Sequence, residues 1–444
     1  MLHSPFGDRF CTSDVPPEGF GRLPGAALWI PPEDRRVLRA LAARKREMAG
    51  QPRMQALRAL WTAANGLGMT RPPVMVDEIC WNEFAQLDEL RLRCEHPFAR
   101  ELETDLRREL FRAESGLGDV IVEPFVECPL QVYDSGFQID EDVDILRTDP
   151  DADVVSRHFH AFIRGIDDVE KIKPPEIAVD RERTRQLAKA MEEIFGGEIT
   201  VKIAGARGQW FTPWDFLIRC MGVEDTLYNL YDEPEFVEAA VQRYVECSLL
   251  RMDRYREDGI WASNNAPVRV GSGGYGLTDT LCPGEGLEQA CPTRQMWGCG
   301  NAQIFSEVSP EMHWQFSLKY ELEWLKQFGA AYYGCCEPLS GKMDLMDRIP
   351  NLLKVSMSPW NDFAAAAERC KGRYVMSCKP NPAVLASERF NEEQARRDIA
   401  SILEKTRGCS LELIMKDIST VRHEPARLIR WAEIAREEID RFYA

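Results

Sequence analysis

The feature that most constrains this chain is an alternation, repeated through most of its length, of brief β-rich runs with amphipathic helices. The runs are "DVIVEPFVEC" (119–128), "EITVKIAG" (198–205), "GIWASNN" (259–265), "AAYYGCCE" (330–337), "LLKVSMSPW" (352–360), "YVMSCKPNP" (374–382) and "LELIMKDIS" (411–419). Between them lie segments with apolar residues at helical spacing: 182–195 (Leu187, Met191, Ile194), 234–255 (Val237, Val241, Tyr244) and 310–328 (Trp314, Leu318, Leu322, Leu325). Strands separated by helices do not pair as hairpins; they line up in parallel through right-handed crossovers. With "PPVMVDE" the strands number eight, which predicts an α/β fold of the (β/α)8 TIM-barrel type over residues 71–444. A doubly wound open sheet is the alternative, because periodicity does not separate a closed sheet from an open one. Ahead of it, "PEDRRVLRALAARKREMAG" and "PRMQALRALWTAANGLG" predict a helical extension over 1–70, whose basic run reads as a solvated face.

In a barrel of this kind the reactive residues collect where strands end. Those ends here are unusually rich in chemistry: Glu78 and Cys80; Gly208 and Gln209; Asn264 and Asn265; Cys335, Cys336 and Glu337; Cys378 and Lys379; Lys416 and Asp417. The adjacent Cys335 and Cys336 admit three readings, as core packing, a redox pair or metal ligands. A redox role is the least attractive, since vicinal cysteines close only a strained ring and no C-x-x-C accompanies them.

With 44% hydrophobic and 29% charged residues in 444, the chain has the composition of an ordinary globular protein. A net charge of −17 argues against nucleic acid or an anionic membrane as partner, and favours a basic protein or a neutral small substrate. The start of the chain has no leader pattern and no run approaches the roughly 20 apolar residues of a membrane span, so a cytoplasmic protein is expected. The 14 cysteines are then expected as free thiols, with Cys94, Cys220, Cys247 and Cys370 as small buried hydrophobes.

Glu307 precedes the helix at 310, and Cys378 closes the next strand but one after the cysteine pair. A carboxylate and two thiolates from separate strand ends suit a catalytic Zn²⁺ with an open fourth position. The alternatives are a helix-capping Glu307 and three packed thiols. His158 and His160 in "RHFHAF" point the same way in an extended segment and are candidates for orienting substrate or protonating a leaving group. Trp81, Trp210, Trp214 and Trp360 near strand ends are candidates for a flat apolar pocket, and Asn264 and Asn265 for hydrogen bonds to substrate. "RVGSGGYG" (269–276) lacks the Lys-Ser/Thr of a phosphate loop and reads as a lid or docking loop.

From residue 198 to about 440 the chain resembles the uroporphyrinogen decarboxylase superfamily, and within it the cobamide-dependent methyltransferases. The resemblance rests on "FSEVSPEMHWQF", "YYGCCEP", "YVMSCKPNPAVLA" and "LIMKDISTVRHEPARLIRWAEIAREE". It departs from the usual His-x-Cys and late-cysteine pattern, with Tyr333 or Gly334 in place of the histidine and Lys416 in place of the late cysteine. The acid, cysteine, cysteine order is instead similar to that of the members that demethylate aryl methyl ethers. The resemblance thus implies a zinc held by Glu307, Cys335 or Cys336, and Cys378, and a Co(I) corrinoid on a partner protein as methyl acceptor. It implies O-demethylation of a small methylated aromatic substrate; the alternatives are methyl transfer from a methylcorrinoid protein to a thiol or tetrahydrofolate, or a non-catalytic binding barrel. A homodimer is a further expectation. The stretch "RPPVMVDEICWNEF" offers no arginine-rich cradle, so a porphyrin polycarboxylate is not the expected substrate.

Overall fold

The computed structural model describes residues 29–443 apart from 140–141, 148–154, 210 and 283–289. In chain order the strands are β1 (Val74–Val76), β2 (Phe125–Pro129), β3 (Val132–Asp134), β4 (Val143–Leu146), β5 (Ser156–Phe159), β6 (Ile177–Val179), β7 (Thr200–Ala204), β8 (Trp297–Gly300), β9 (Ala330–Tyr333), β10 (Leu352–Met357), β11 (Val375–Cys378) and β12 (Leu411–Met415). Six of them form one parallel sheet in the order β1-β12-β11-β10-β9-β8. β12 is buried over its whole length, as a strand covered on both faces must be.

The helices that return the chain between these strands start and stop where local chemistry dictates. Asp362 accepts from the backbone N–H groups of Ala364 and Ala365 to open the helix Phe363–Cys370, and Asn391 accepts from Gln394 to open Glu392–Lys405. Because β8 to β12 follow one another in space as in sequence, right-handed crossovers place these helices on one face. The other face is concave, and is filled from within the chain.

The filling is the glycine-rich stretch expected as a lid. Residues 270–278 are buried beneath the sheet's concave face. Gly271 is left-handed, with φ 57°, and a Cβ there would lie 2.3 Å from the ring of Tyr332; a Cβ on Gly274 would lie 2.3 Å from the indole of Trp61. Only glycine lets this backbone come so close. The stretch is a plug rather than a lid, and it is fixed polar group by polar group: Gly274 N–H donates to Glu412 Oε1 at 2.9 Å, while Glu412 Oε2 accepts from Lys354 Nζ at 2.7 Å, both side chains being fully buried.

The expected closed eight-stranded barrel is not what forms: among the described residues the six-stranded sheet stays open between β1 and β8. β2 and β7 pair only with each other, and the run at 259–265 contributes a single parallel bridge, Ala206 to Trp261. The reason lies at Asn264. Its amide accepts from Trp297 N–H at 2.8 Å and donates to Trp297 C=O at 2.9 Å, so a side chain occupies the edge of β8 where a strand's backbone would run. The N-terminal helices Pro32–Ala49 and Pro52–Asn65 pack into a core shared with Val120, Leu187, Tyr275 and Ile414. Trp61 Nε1 donates to Asp119 C=O at 2.9 Å and Asn65 Nδ2 to Tyr275 C=O at 2.8 Å, tying these helices to the plug. No helix among the described residues is long and apolar enough to cross a membrane.

Candidate functional site

Side-chain alternation along β9 to β12 decides which strand-end residues meet. On β9, Tyr332 faces the concave side, where its hydroxyl meets Ser272 and Lys379, and Tyr333 faces the helices. Continued alternation would send Cys335 toward the helices as well. Gly334 prevents this: its φ of 100° is open to glycine and resets the direction of the chain. Cys335 then lies over the concave face, its carbonyl accepting from Ser356 Oγ at 2.8 Å and its N–H donating to Glu337 Oε2 at 2.9 Å.

Cys335 meets Lys416, at the end of β12. Lys416 Nζ lies 3.8 Å from Cys335 Sγ, 3.0 Å from Asp417 Oδ1 and 3.7 Å from Glu78 Oε2. Burial by itself would lower the lysine's pKa, but the Cys335–Cys336 thiol pair, Glu78 and Asp417 outweigh it and hold the ammonium above its ordinary value. Glu78 is opposed by burial too, yet Arg269 and Lys416 bring it down to about 2. Glu78 and Asp417 both adopt left-handed backbone, with φ 51° and 56°, and Asp417 N–H donates to Glu78 Oε2 at 3.1 Å. Two non-glycine residues held in this sparsely populated region beside one lysine are stored strain of the kind that collects at working sites. Arg269, which enters from the plug, completes the cluster by pairing with Asp77 and Glu78.

The two thiols lie 3.6 Å apart and differ in exposure: Cys335 is buried and Cys336 is open to solvent. The hydrogen bond between them and burial raise the Cys335 thiol well above its ordinary value, while the same bond and the charge of Lys416 lower the Cys336 thiol. One layer deeper, Lys379 Nζ donates to Tyr332 Oη, Ser356 Oγ and Ser377 Oγ at 2.6, 2.8 and 3.0 Å. Burial and the neighbouring Lys416 push Lys379 down to about 8. Two lysines, two thiols and an acid pair therefore share the mouth of the sheet.

The three ligands expected for zinc, Glu307, Cys335 or Cys336, and Cys378, are not brought together. Cys378 is fully buried on the helix side of β11, in the core with Cys370 and Leu403, and Lys379 is the residue that faces inward. Burial raises the Cys378 thiol well above its ordinary value. Glu307 is exposed to solvent ahead of the helix Pro310–His313, whose cap is Ser309. Among the described residues no group of three or more His, Cys, Asp or Glu side chains is placed to hold a metal ion. The expected ligand set does not fit zinc in this arrangement, and the cation beside the thiols is Lys416.

The other expected residues are dispersed. His158 and His160 lie on the antiparallel ribbon β4–β5, which is hydrogen-bonded to neither parallel sheet; His160 Nε2 pairs with Asp144 Oδ2 at 3.0 Å in an exposed contact. Trp81 packs edge-on against Phe84 and Phe111, and Trp214 is fully buried against Phe305. Trp360, 71% exposed, stands on the loop after β10. Trp210 lies outside the described residues. Asn264 is committed to Trp297, and Asn265 to the backbone of Thr278, Leu281 and Cys282, so neither amide is free for substrate.

Sequence reasoning reached the strand ends but missed the importance of Lys416, Glu78, Asp417 and Arg269. The signal was present in the first three, as charges closing otherwise apolar runs. Arg269 carried none, because only the plug's path brings it to Glu78. Also missed was a buried polar chain on the helix side of β9: His313 Nε2 and Tyr333 Oη are 2.9 Å apart, and Tyr333 Oη donates to Glu321 Oε2 at 2.6 Å. It lies against a π-helical turn, Trp314–Leu318. Burial lifts Glu321 to about 8 and lowers His313 to about 3, so both are neutral near pH 7.

No protein-family model matches the chain, and no curated protein matches it. A solved structure described as a "methyltransferase from Methanosarcina mazei" aligns with it at 13% sequence identity and a TM-score of 0.48, over 87% of this chain and 99% of that one.

Proposed function

We propose that the chain is a methyltransferase that takes a methyl group from a small methylated substrate, foremost an aryl methyl ether, at the mouth formed by Lys416, Cys335, Cys336 and Glu78. The observation that supports this most is the placement of Lys416: a nearly buried ammonium, kept protonated by the thiol pair and two carboxylates, at the C-terminal ends of a parallel sheet. A methyl ether is inert because its oxygen leaves badly. As the carbon–oxygen bond breaks, the electron pair stays on oxygen, and a fixed cation in a dry site stabilises that charge most where it develops. Lys416 stays protonated and acts as a charge; the proton that completes the product comes from solvent. In this reading the electrophilic role expected of zinc falls to the lysine, because Cys378 faces the helices and Glu307 the solvent.

The methyl acceptor implied by the resemblance, a Co(I) corrinoid carried by a separate protein, would supply the nucleophile. Cys336 and Trp360 leave the rim of the mouth open to such a partner. The test is to mix the protein with a reduced corrinoid protein and a panel of aryl methyl ethers, and to follow the free phenol and the methylated corrinoid together. Lys416→Met is expected to lower the rate by about 10²-fold or more, the usual effect of removing one charge-stabilising donor. No product from any methyl ether, or an unchanged rate in Lys416→Met, overturns the proposal.

A further inference from the structure

Asn301 follows β8 directly and is fully buried, yet neither Nδ2 nor Oδ1 has a hydrogen-bond partner. Trp297 and Cys299 of β8 face the concave side, and the same alternation carries Asn301, two residues on, to the mouth above them. The backbone of Gln209 runs beside β8: Cys299 Sγ contacts Gln209 C=O at 3.8 Å, a parallel bridge joins Phe211 to Gly300, and the side-chain Nε2 of Gln209 is likewise buried without a partner. A buried amide is normally satisfied, and each unmade bond leaves its full desolvation cost in place. Asn301 and Gln209 therefore come from neighbouring segments at the end of β8, and they differ from Asn264 and Asn265, whose amide nitrogen and oxygen are both bonded to backbone.

The connection to the cluster is direct. Glu337 accepts from Ala302 N–H at 3.1 Å and from Cys335 N–H at 2.9 Å, so Cys335 and the residue next to Asn301 share one buried carboxyl group. The surroundings also set the charge of a guest. Glu337 is a buried acid bonded to Ala302 N–H, and half-buried Asp215, bonded to Gln303, is lifted to about 6 mainly by burial. The cations are already engaged: Arg207 with Glu127, Arg269 with Asp77 and Glu78, and Lys342 with Phe305 C=O. An anion would add negative charge beside acids that already resist ionising. A neutral group that both donates and accepts meets two amide donors and one amide acceptor without that penalty.

We propose that Asn301 and Gln209 form a ligand subsite for a neutral donor–acceptor group, a carboxamide or a hydroxyl, on a small molecule whose other end reaches the lysine–thiol cluster. Taking that molecule to be the methyl donor rests on the function proposed above; the subsite itself does not.

The test uses the intact protein and four probes of similar size, benzamide, phenol, benzoate and toluene, with binding followed by ligand-observed NMR and thermal unfolding measured without any probe. Benzamide or phenol is expected to bind the wild type, with benzoate and toluene at least tenfold weaker. Asn301→Leu and Gln209→Leu are each expected to weaken the bound probe at least tenfold. Asn301→Leu is also expected to raise the unfolding midpoint, because an unpaired buried amide is replaced by an apolar group of similar shape. Asn301→Ala, which only removes atoms, repeats the binding test if leucine is not accommodated. Failure of both benzamide and phenol to bind, equal binding of benzoate, or unchanged affinity in the Asn301 variants overturns the subsite. Probe binding with these signatures, in a protein that demethylates nothing, would keep the subsite and remove the proposed function.

Discussion

Lys416 Nζ and Cys335 Sγ lie 3.8 Å apart at the ends of β12 and β9, a cation and a thiol brought together from positions 81 residues apart in the chain. The contact depends on Gly334, whose left-handed backbone turns Cys335 off the helix side of its strand. It gives the cysteine pair its character: the inner thiol holds its proton more tightly, and the outer one, Cys336, ionises more readily beside Lys416.

Thiol reactivity should follow that order. Under native conditions iodoacetamide is expected to label Cys336 well before Cys335, and to leave Cys378 and Cys299 untouched until the protein unfolds. Lys416→Met should slow the labelling of Cys336 several-fold at neutral pH, because the thiolate loses its nearby cation. Peptide mass spectrometry at timed quenches reads both effects. Early labelling of Cys378 would contradict its place in the helix-side core.

The buried pair between Lys354 and Glu412 holds the plug against the sheet. Removing one partner, as in Lys354→Met, leaves an unpaired charge and is expected to cost about 3–5 kcal/mol in denaturant unfolding. Lys354→Met combined with Glu412→Leu should cost clearly less than the sum of the two single changes. Additive losses would mean that the two side chains do not act as a pair.

Asn264→Ala should be among the more damaging asparagine changes. It strips both Trp297 backbone groups of their partner on the buried edge of β8, at about 1–3 kcal/mol for each group left unsatisfied. Hydrogen exchange of the Trp297 amide should accelerate in the variant, and an unchanged exchange rate would show that another group takes over the edge.

Stability should carry a pH signature from Glu321. Its folded carboxyl sits near 8 against an ordinary 4.5, so the folded state holds a proton that the unfolded state releases in between. The contribution is present in full below about pH 4.5, and is lost as pH rises through 8. Thermal midpoints of wild type minus those of Glu321→Gln should therefore fall across that window. A flat difference would place the carboxyl in a more polar setting than its contacts with Tyr333 and Ser317 indicate.

Replacing His158 and His160 together with alanine should leave methyl transfer unchanged, because the ribbon that carries them is paired with neither parallel sheet. A large loss of rate in that variant would mean that the ribbon reaches the substrate.

The alternation of β-rich runs and helices determined the class of the fold, because strands with helices between them have no way to align except in parallel. It also located the chemistry at strand ends, where Cys335, Lys416 and Glu78 all lie. What the chain's local pattern did not contain was direction. Cys378 and Lys379 are neighbours in sequence and face opposite sides of β11, and a shift of one residue decides which of them enters the site. Gly334 makes such a shift on β9, and Asn264 ends a strand by offering an amide in place of a backbone. Arg269 and the glycines of the plug reach the concave face only because that face needed filling. Sequence periodicity records what each element prefers by itself; the facing of Cys378, the opening of the sheet beside β8 and the meeting of Lys416 with Cys335 were settled by packing between distant segments.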